Sequence, residues 1–359
     1  MKIENTVSQA IEISLRIFGI WPNTSCVLLR RLFWTVMLVI EQVFQYRYIV
    51  VHFHLIEFID MMRIIGSTMA YTIFLFKLLI FWYKQRTFNR ILMMMANNWE
   101  KCSDTKFSML ITSKILVKHD NGDTASNVST RLLILDMDLP FDANRRFIYE
   151  SIIIVQFLHL VLCSEAIGLL NALLINLILH ISGQIDILRK SVMDIFPKEG
   201  NGRLSRFVVQ KIIKKHQEII IFSEHIEDLY SYIAMVLFVT DTLIICCLGF
   251  TIVAAIGRPD AFNNIIKTLL FYFLMNSEAF IFCFAGEYLS AKSKSIGDAA
   301  YDSLWYESDS KDSRIILFLI MRSQNQLTIT IGKIMNLSLD RFGSIIKASA
   351  SYISVLFAM

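Results

Sequence analysis

The chain has 359 residues, of which 55% are apolar and only 18% charged, with a mean hydropathy of +0.53 and a net charge of +4. Such a composition excludes an ordinary water-soluble domain. The apolar residues come in long runs, and all four prolines (Pro22, Pro140, Pro197 and Pro259) fall between those runs, so the reading is an all-α integral membrane protein. Walker, HExxH and GxSxG patterns are absent from the sequence, so neither an enzyme nor a cofactor is expected, and no nucleic-acid partner. Cys163, Cys246, Cys247 and Cys283 lie within apolar runs and Cys26 and Cys102 in segments read as cytosolic, a distribution that suggests no disulfide.

The first 31 residues carry Val7, Ile11, Leu15 and Phe18 at helical spacing, the pattern of an amphipathic helix at a membrane surface. No basic region followed by an apolar core and a small-residue cleavage site is visible there, so the first span is expected to direct insertion. Spans are expected at 32–51 and 61–83. The ends facing this pair carry Arg30, Arg31, Lys84, Arg86 and Arg90, whereas their connection carries Glu57 and Asp60; the positive-inside rule therefore puts the amino terminus in the cytosol.

A run of about 40 residues follows at 147–188. At 1.5 Å per residue it measures about 60 Å, twice the ~30 Å hydrocarbon core, so it must break or project into the cytosol. Its trailing end meets Arg189, Lys190, Lys198, Arg203 and Arg206 and is inside, so its start is outside. Residues 84–118 are also basic and read as inside, whereas 136–144 read as outside, so an odd number of crossings must lie between span two and the long run. The two apolar stretches there are interrupted by charge and fall short of the roughly 17 residues a spanning helix needs. One crossing is expected to be missing. Residues 216–256 read as one helix with a cytosolic first half and a spanning second half, followed by a span at 262–289, a further short helix at 314–323, and a final outward helix at 339–359. About six spans are visible.

In that final helix, 100° per residue puts Ser344, Ala348, Ser351, Val355, Ala358 and Met359 on one narrow face and Phe342, Ile345, Ile346 and Tyr352 on the others. A small, partly polar face can line a water path closed by Val355 and Met359. It can also serve only close helix packing.

The carboxyl-terminal stretch resembles the insect odorant receptor family. The resemblance rests on Gly286, Glu287 and Leu289 (GExL), on Ala299, Ala300, Tyr301, Trp305 and Tyr306 (AAYDSLWY), on MRSQ from Met321 to Gln324, and on LSLDRFGSIIKASASYISVL at 337–356. Weaker matches are NNWEKC at 97–102, LPFDANRRFIYE at 139–150 and HQEIIIFSEHIEDLYS at 216–231. The resemblance implies a seven-helix subunit of a tetrameric, odorant-gated, nonselective cation channel, with its carboxyl terminus outside and long helices extending into a cytosolic anchor. It also implies a heterotetramer with an odorant co-receptor, a small volatile ligand, and a setting in the plasma membrane of olfactory sensory neurons, with lipid as the surrounding partner. The modest 189–215 connection resembles a tuning subunit rather than the co-receptor. Two departures stand out. The family's SYSY reads Ser349-Ala350-Ser351-Tyr352 here, and the missing crossing sits where the family has its third helix, one wall of its odorant pocket. The alternative to a working receptor is therefore a truncated, nonfunctional or dominant-negative subunit that assembles without binding odorant.

On this reading residues 1–31 are a cytosolic amphipathic terminus. Residues 32–188 are ligand-binding membrane helices disrupted at 103–137; 189–230 and 291–338 form the anchor, 231–290 return to the membrane, and 339–359 line the pore. Ligand candidates are Met69, Tyr71 and Phe74; Phe157, Leu160 and Val161; and Phe271, Tyr272, Met275 and Asn276. Pore and gate candidates are Ser351, Val355, Ala358 and Met359, and anchor candidates Tyr301, Trp305, Tyr306, Arg322 and Gln324. Charges within spans need partners. Lys77 is expected to pair with Glu165, and Asp241, Glu278 and Glu287 to bond backbone or hydroxyl groups, with amine-ligand binding as the alternative.

Overall fold

The structure, a computed structural model of the chain, describes residues 7, 9–22, 24–53, 58–101, 146–195, 206–255, 261–303, 305–307 and 309–358. The disrupted third-helix region expected at 103–137 lies outside the described residues, as does Met359. The described residues form nine α-helices and one small hairpin. In order they are α1 (Gln9–Ile17), α2 (Val27–His52), α3 (Phe58–Tyr83), α4 (Gln85–Lys101), α5 (Arg146–Met193), α6 (Arg206–Ala255), α7 (Ala261–Asp302) and α8 (Ser310–Ser323). Strands β1 (Thr330–Ile331) and β2 (Met335–Asn336) follow, then α9 (Leu339–Ala358).

Length organises the molecule. The 48 residues of α5 run without a break, about 72 Å at 1.5 Å per residue, and the 50 of α6 are longer still. Both exceed a bilayer core, so each supplies a membrane half and an extension beyond it. α3, α5, α6 and α7 are long and apolar enough to cross a membrane. α2 and α9 are less apolar than that measure requires: Glu41, Gln42, Gln45 and Arg47 interrupt α2, and Asp340, Arg341 and Lys347 interrupt α9. The expectation of about six spans therefore holds by length and composition for four.

α6 is the central post. α3, α7 and α9 pack along it, and α5 packs on α7 and α6. One continuous core runs through the bundle, with Leu38, Phe74, Leu78, Phe81, Leu177, Ile181, Leu229, Tyr230, Phe282 and Leu289 all buried. Apolar burial at about 25 cal/mol per Å² holds the extension beyond the membrane together; within lipid, close packing and polar contacts take that role.

The amino terminus departs from expectation. Val7, Ile11, Leu15 and Phe18 do share a face, but it is buried in the bundle core rather than laid on a membrane surface. The Trp34 and Trp82 indole N–H groups donate to Ile17 O at 3.2 Å and Phe18 O at 3.0 Å, and Arg31 donates to Gly19 O and to Gln85 Oε1 at 2.6 Å. These bonds satisfy the carbonyls left open where α1 ends. α4 is a helix absent from the sequence expectations. Phe88, Ile91, Leu92 and Met95 fall at i, i+3, i+4 and i+7 and are fully buried, packing against α6, the ordinary stripe of an amphipathic helix.

α8 begins at the expected short helix and is capped by Asp309, whose side chain accepts from Ser310 N at 3.1 Å. The β1–β2 hairpin was not anticipated. It turns through Gly332 (φ 58°) and Lys333 (φ 61°) and pairs Thr330 with Asn336 and Ile331 with Met335. It is held against α6: Gly332 N donates to Ser231 O at 2.9 Å, Lys333 N to Ser231 Oγ at 3.0 Å, and Thr330 Oγ1 to Glu227 Oε1 at 2.9 Å. The chain then crosses α7 so closely that a Cβ on Gly286 would lie 2.6 Å from Leu337 Cβ. The glycine of GExL is thus a contact point between α7 and the lead-in to α9.

Candidate ligand-binding and pore elements

The ligand candidates separate into three groups. Met69, Phe271, Tyr272 and Met275 come together: Met275 is buried with Ile73, Ile244, Ile245, Leu248, Ala279 and Ile345, and Met69, Phe271 and Tyr272 pack against that cluster. The cluster joins α3, α6 and α7 to α9, because Ile345 and Phe342 are both residues of the final helix. Tyr71 and Phe74 are buried in the main core instead, Tyr71 against His159 of α5 and Phe74 edge-on to Phe18. Phe157, Leu160 and Val161 are not brought in at all. They are exposed on the first half of α5, Phe157 by 55%, since the buried positions on those turns are Gln156, His159, Cys163 and Ala166. Asn276 spends its amide locally, donating to Tyr272 O at 2.7 Å.

The charged groups correct the expectation for Lys77. Its ammonium forms a buried ion pair with Glu278 of α7, not with Glu165, which is exposed on α5. The reason is rotation: α5 presents His159, Cys163 and Ala166 to the core, and Glu165 lies on the opposite side of that turn. Lys77 also sits 5.8 Å from the Phe282 ring centroid, a favourable cation–π placement. Glu287 is exposed. Asp241 of α6 is fully buried, and neither carboxylate oxygen has a hydrogen-bond partner among the described residues, so the hydroxyl or backbone bond expected for it is absent there. A second polar group lies between α2, α3 and α5. His159 pairs with Glu41, its Nε2 lies 3.2 Å from Cys163 Sγ, and its ring stacks on Tyr71 with centroids 6.1 Å apart. Sequence reasoning missed His159 and Glu41; the signal available was two ionisable residues inside apolar helices, each in need of a partner.

On α9, Ile345 and Ser349 face the bundle and are buried, whereas Ser344, Ser351 and Val355 are exposed, Val355 by 58%. The narrow face picked out by periodicity is therefore turned away from the chain's own helices. Ala358 ends α9 and Met359 lies outside the described residues. Beyond the membrane half, Tyr301 and Tyr306 are exposed by about two thirds, Arg322 and Gln324 are exposed, and Trp305 packs inward against the core. Ser313 Oγ donates to Trp305 O at 2.9 Å, fixing this loop to α8. Phe318 and Met321 add apolar surface on α8.

The fold is similar to the insect olfactory receptor OR5 from Machilis hrabei in complex with eugenol, at a TM-score of 0.73 and 17% identity, covering 97% of this chain and 96% of that one. The same receptor described without that ligand gives 0.73 at 16% identity, covering 96% of each chain. By sequence the chain is 30% identical to Odorant receptor 10 of Aedes albopictus over 148 residues, 41% of this chain and 38% of that protein. It is 26% identical to Odorant receptor 22c of Drosophila melanogaster over 165 residues, 46% and 39% respectively. To Odorant receptor 13a of the same fly it is 27% identical over 194 residues, 50% and 46%. The chain thus spans under half the length of these curated relatives. The family profile described as 7tm Odorant receptor reaches further, matching residues 57–350, from the start of α3 into α9. With four apolar spanning helices, a bundle of the same fold and a match over most of its length, the chain is a multi-pass membrane protein and belongs to the odorant receptor family.

Proposed function

We propose that the chain is a tuning subunit of a heteromeric, odorant-gated, nonselective cation channel in the plasma membrane of olfactory sensory neurons. A small volatile ligand binds among α3, α6 and α7, and the face of α9 carrying Ser351, Val355, Ala358 and Met359 lines the pore, with Val355 and Met359 as its gate. The single observation behind this reading is the apolar cluster that Met69, Phe271, Tyr272 and Met275 share with Phe342 and Ile345 of α9. A ligand displacing those side chains presses directly on the helix assigned to the pore. Packed interfaces of this kind respond by switching rather than by continuous deformation. The outward exposure of Ser351 and Val355 supports a pore between subunits, because a face that meets no helix of its own chain is free to meet an axis. Tyr301, Tyr306, Arg322 and Gln324, exposed beyond the membrane half, are the proposed contacts with the odorant co-receptor.

One observation favours a second reading. Phe157, Leu160 and Val161, the wall expected from α5, point away from the cluster, as in a subunit that assembles but does not bind odorant. Co-expression with an odorant co-receptor decides between them. Odorant-evoked cation current is the expected result; surface-located heteromers that never respond, and that suppress a second tuning subunit, would establish the nonresponsive form.

A further inference from the structure

Among the described residues, three charged side chains lie buried together between α3, α6 and α7, and one of them has no hydrogen-bond partner. Lys77 of α3, Glu278 of α7 and Asp241 of α6 are all buried at the inner edge of the apolar cluster. Each follows from its own helix: Lys77 is one turn from Ile73, Asp241 is three residues from Ile244, and Glu278 is three residues from Met275. Lys77 is committed to Glu278 and to the face of Phe282. Asp241 is near enough to interact electrostatically with both members of that pair, yet its two oxygens meet no hydrogen-bond donor among the described residues. With all three groups ionised the set carries one negative charge more than positive. A carboxylate removed from water without a partner is among the costlier features a membrane bundle can hold, and such residues usually mark a ligand or ion path.

We propose that Asp241 is the counter-ion for a basic nitrogen, and that the ligand class of this receptor is the small aliphatic amines. A monocationic ammonium restores neutrality beside Asp241 and gives its oxygens the charge-assisted donors they lack. The alkyl tail then lies against Met69 and Met275, whose flexible thioether side chains adapt to tails of different length. Lys77 holds Glu278 in place, so that a single carboxylate, rather than two, addresses the ligand. The inference rests on the reading of the chain as an odorant receptor and goes further by naming the chemistry of the ligand.

The test uses the full chain in two settings, with hexylamine and hexan-1-ol as probes of equal length. In cells co-expressing an odorant co-receptor, hexylamine is expected to evoke current at concentrations at least tenfold lower than hexan-1-ol. Asp241→Asn should remove that preference, bringing the two thresholds to within twofold of each other, and Asp241→Glu should keep it. On purified chain in lipid nanodiscs, hexylamine should raise the melting temperature of the wild type and of Asp241→Glu, but not of Asp241→Asn. Current evoked by neutral odorants with hexylamine no better than hexan-1-ol would overturn the amine assignment and leave the receptor reading standing. If no odorant evokes current from surface-located channels, a hexylamine shift that Asp241→Asn abolishes would uphold the amine site against a failed channel reading. Absence of any such shift would sink both.

Discussion

Lys77 can lie inside the bundle because Glu278 meets it across the α3–α7 gap, within surroundings that include Phe74, Leu78 and Phe282 as well as the buried Asp241. Removing one partner strands the other. Lys77→Met alone is therefore expected to destabilise the chain by about 3–5 kcal/mol, whereas Lys77→Met combined with Glu278→Leu should come close to wild type. Thermal unfolding of the purified variants measures both, and a double variant as damaged as the single would show that the pair is not what holds these residues. Gly286 gives a second prediction. With Leu337 Cβ 2.6 Å and Leu337 O 2.7 Å from the position of a Cβ, Gly286→Ala must push the lead-in to α9 off α7, at about 1–3 kcal/mol. A melting temperature unchanged from wild type would contradict that close approach. That Lys77 needs a partner was legible in the sequence, because a lone charge in a span is costly. Which partner was not. Glu165 and Glu278 both sit in long apolar helices, and choosing between them requires the rotation of α5, which 48 residues of nearly uniform apolarity do not encode.

Among elements, the hairpin and α4 show where the sequence could have been read further. Leu327, Thr328, Ile329, Thr330 and Ile331 alternate apolar and hydroxyl side chains and end at Gly332, the mark of a strand and turn. The pattern is only five residues long and lies between the helices expected at 314–323 and 339–359, within the stretch read as anchor, where no strand was expected. The hairpin is a tether: Ser231 receives Gly332 N and Lys333 N and touches Thr330 Oγ1 at 3.0 Å, tying the lead-in to α9 to the middle of α6. Gly332→Val is expected to break this tie, since it adds a β-branched side chain at positive φ where a Cβ already lies 2.6 Å from Met235 Sδ. Folded protein should fall sharply while Ile334→Ser, an exposed change on the same turn, leaves the yield near wild type. Equal yields from the two would mean the hairpin is not structural. α9, by contrast, was legible in its extent: it runs Leu339–Ala358 against the expected 339–359, with Ser344, Ser351, Tyr352 and Val355 exposed and Ile345 buried.

For the molecule as a whole, the long helices explain how two different environments are joined. α5, α6 and α7 each run from an apolar half to a half stitched by polar pairs, among them Lys292 with Asp186 at 2.9 Å and Lys84 with Asp228 at 2.6 Å. Charge asymmetry along the chain made that division readable, and the family match over residues 57–350 confirms membership while leaving activity to be measured. The most direct measurement is thiol modification of Val355→Cys in channels formed with an odorant co-receptor, with the unsubstituted chain as control. Odorant-evoked current should be blocked within seconds to minutes by a membrane-impermeant methanethiosulfonate reagent applied from outside, faster when odorant is present, with the control unaffected. Odorant-evoked current through Val355→Cys channels that the reagent leaves unchanged would contradict a pore lined by this helix.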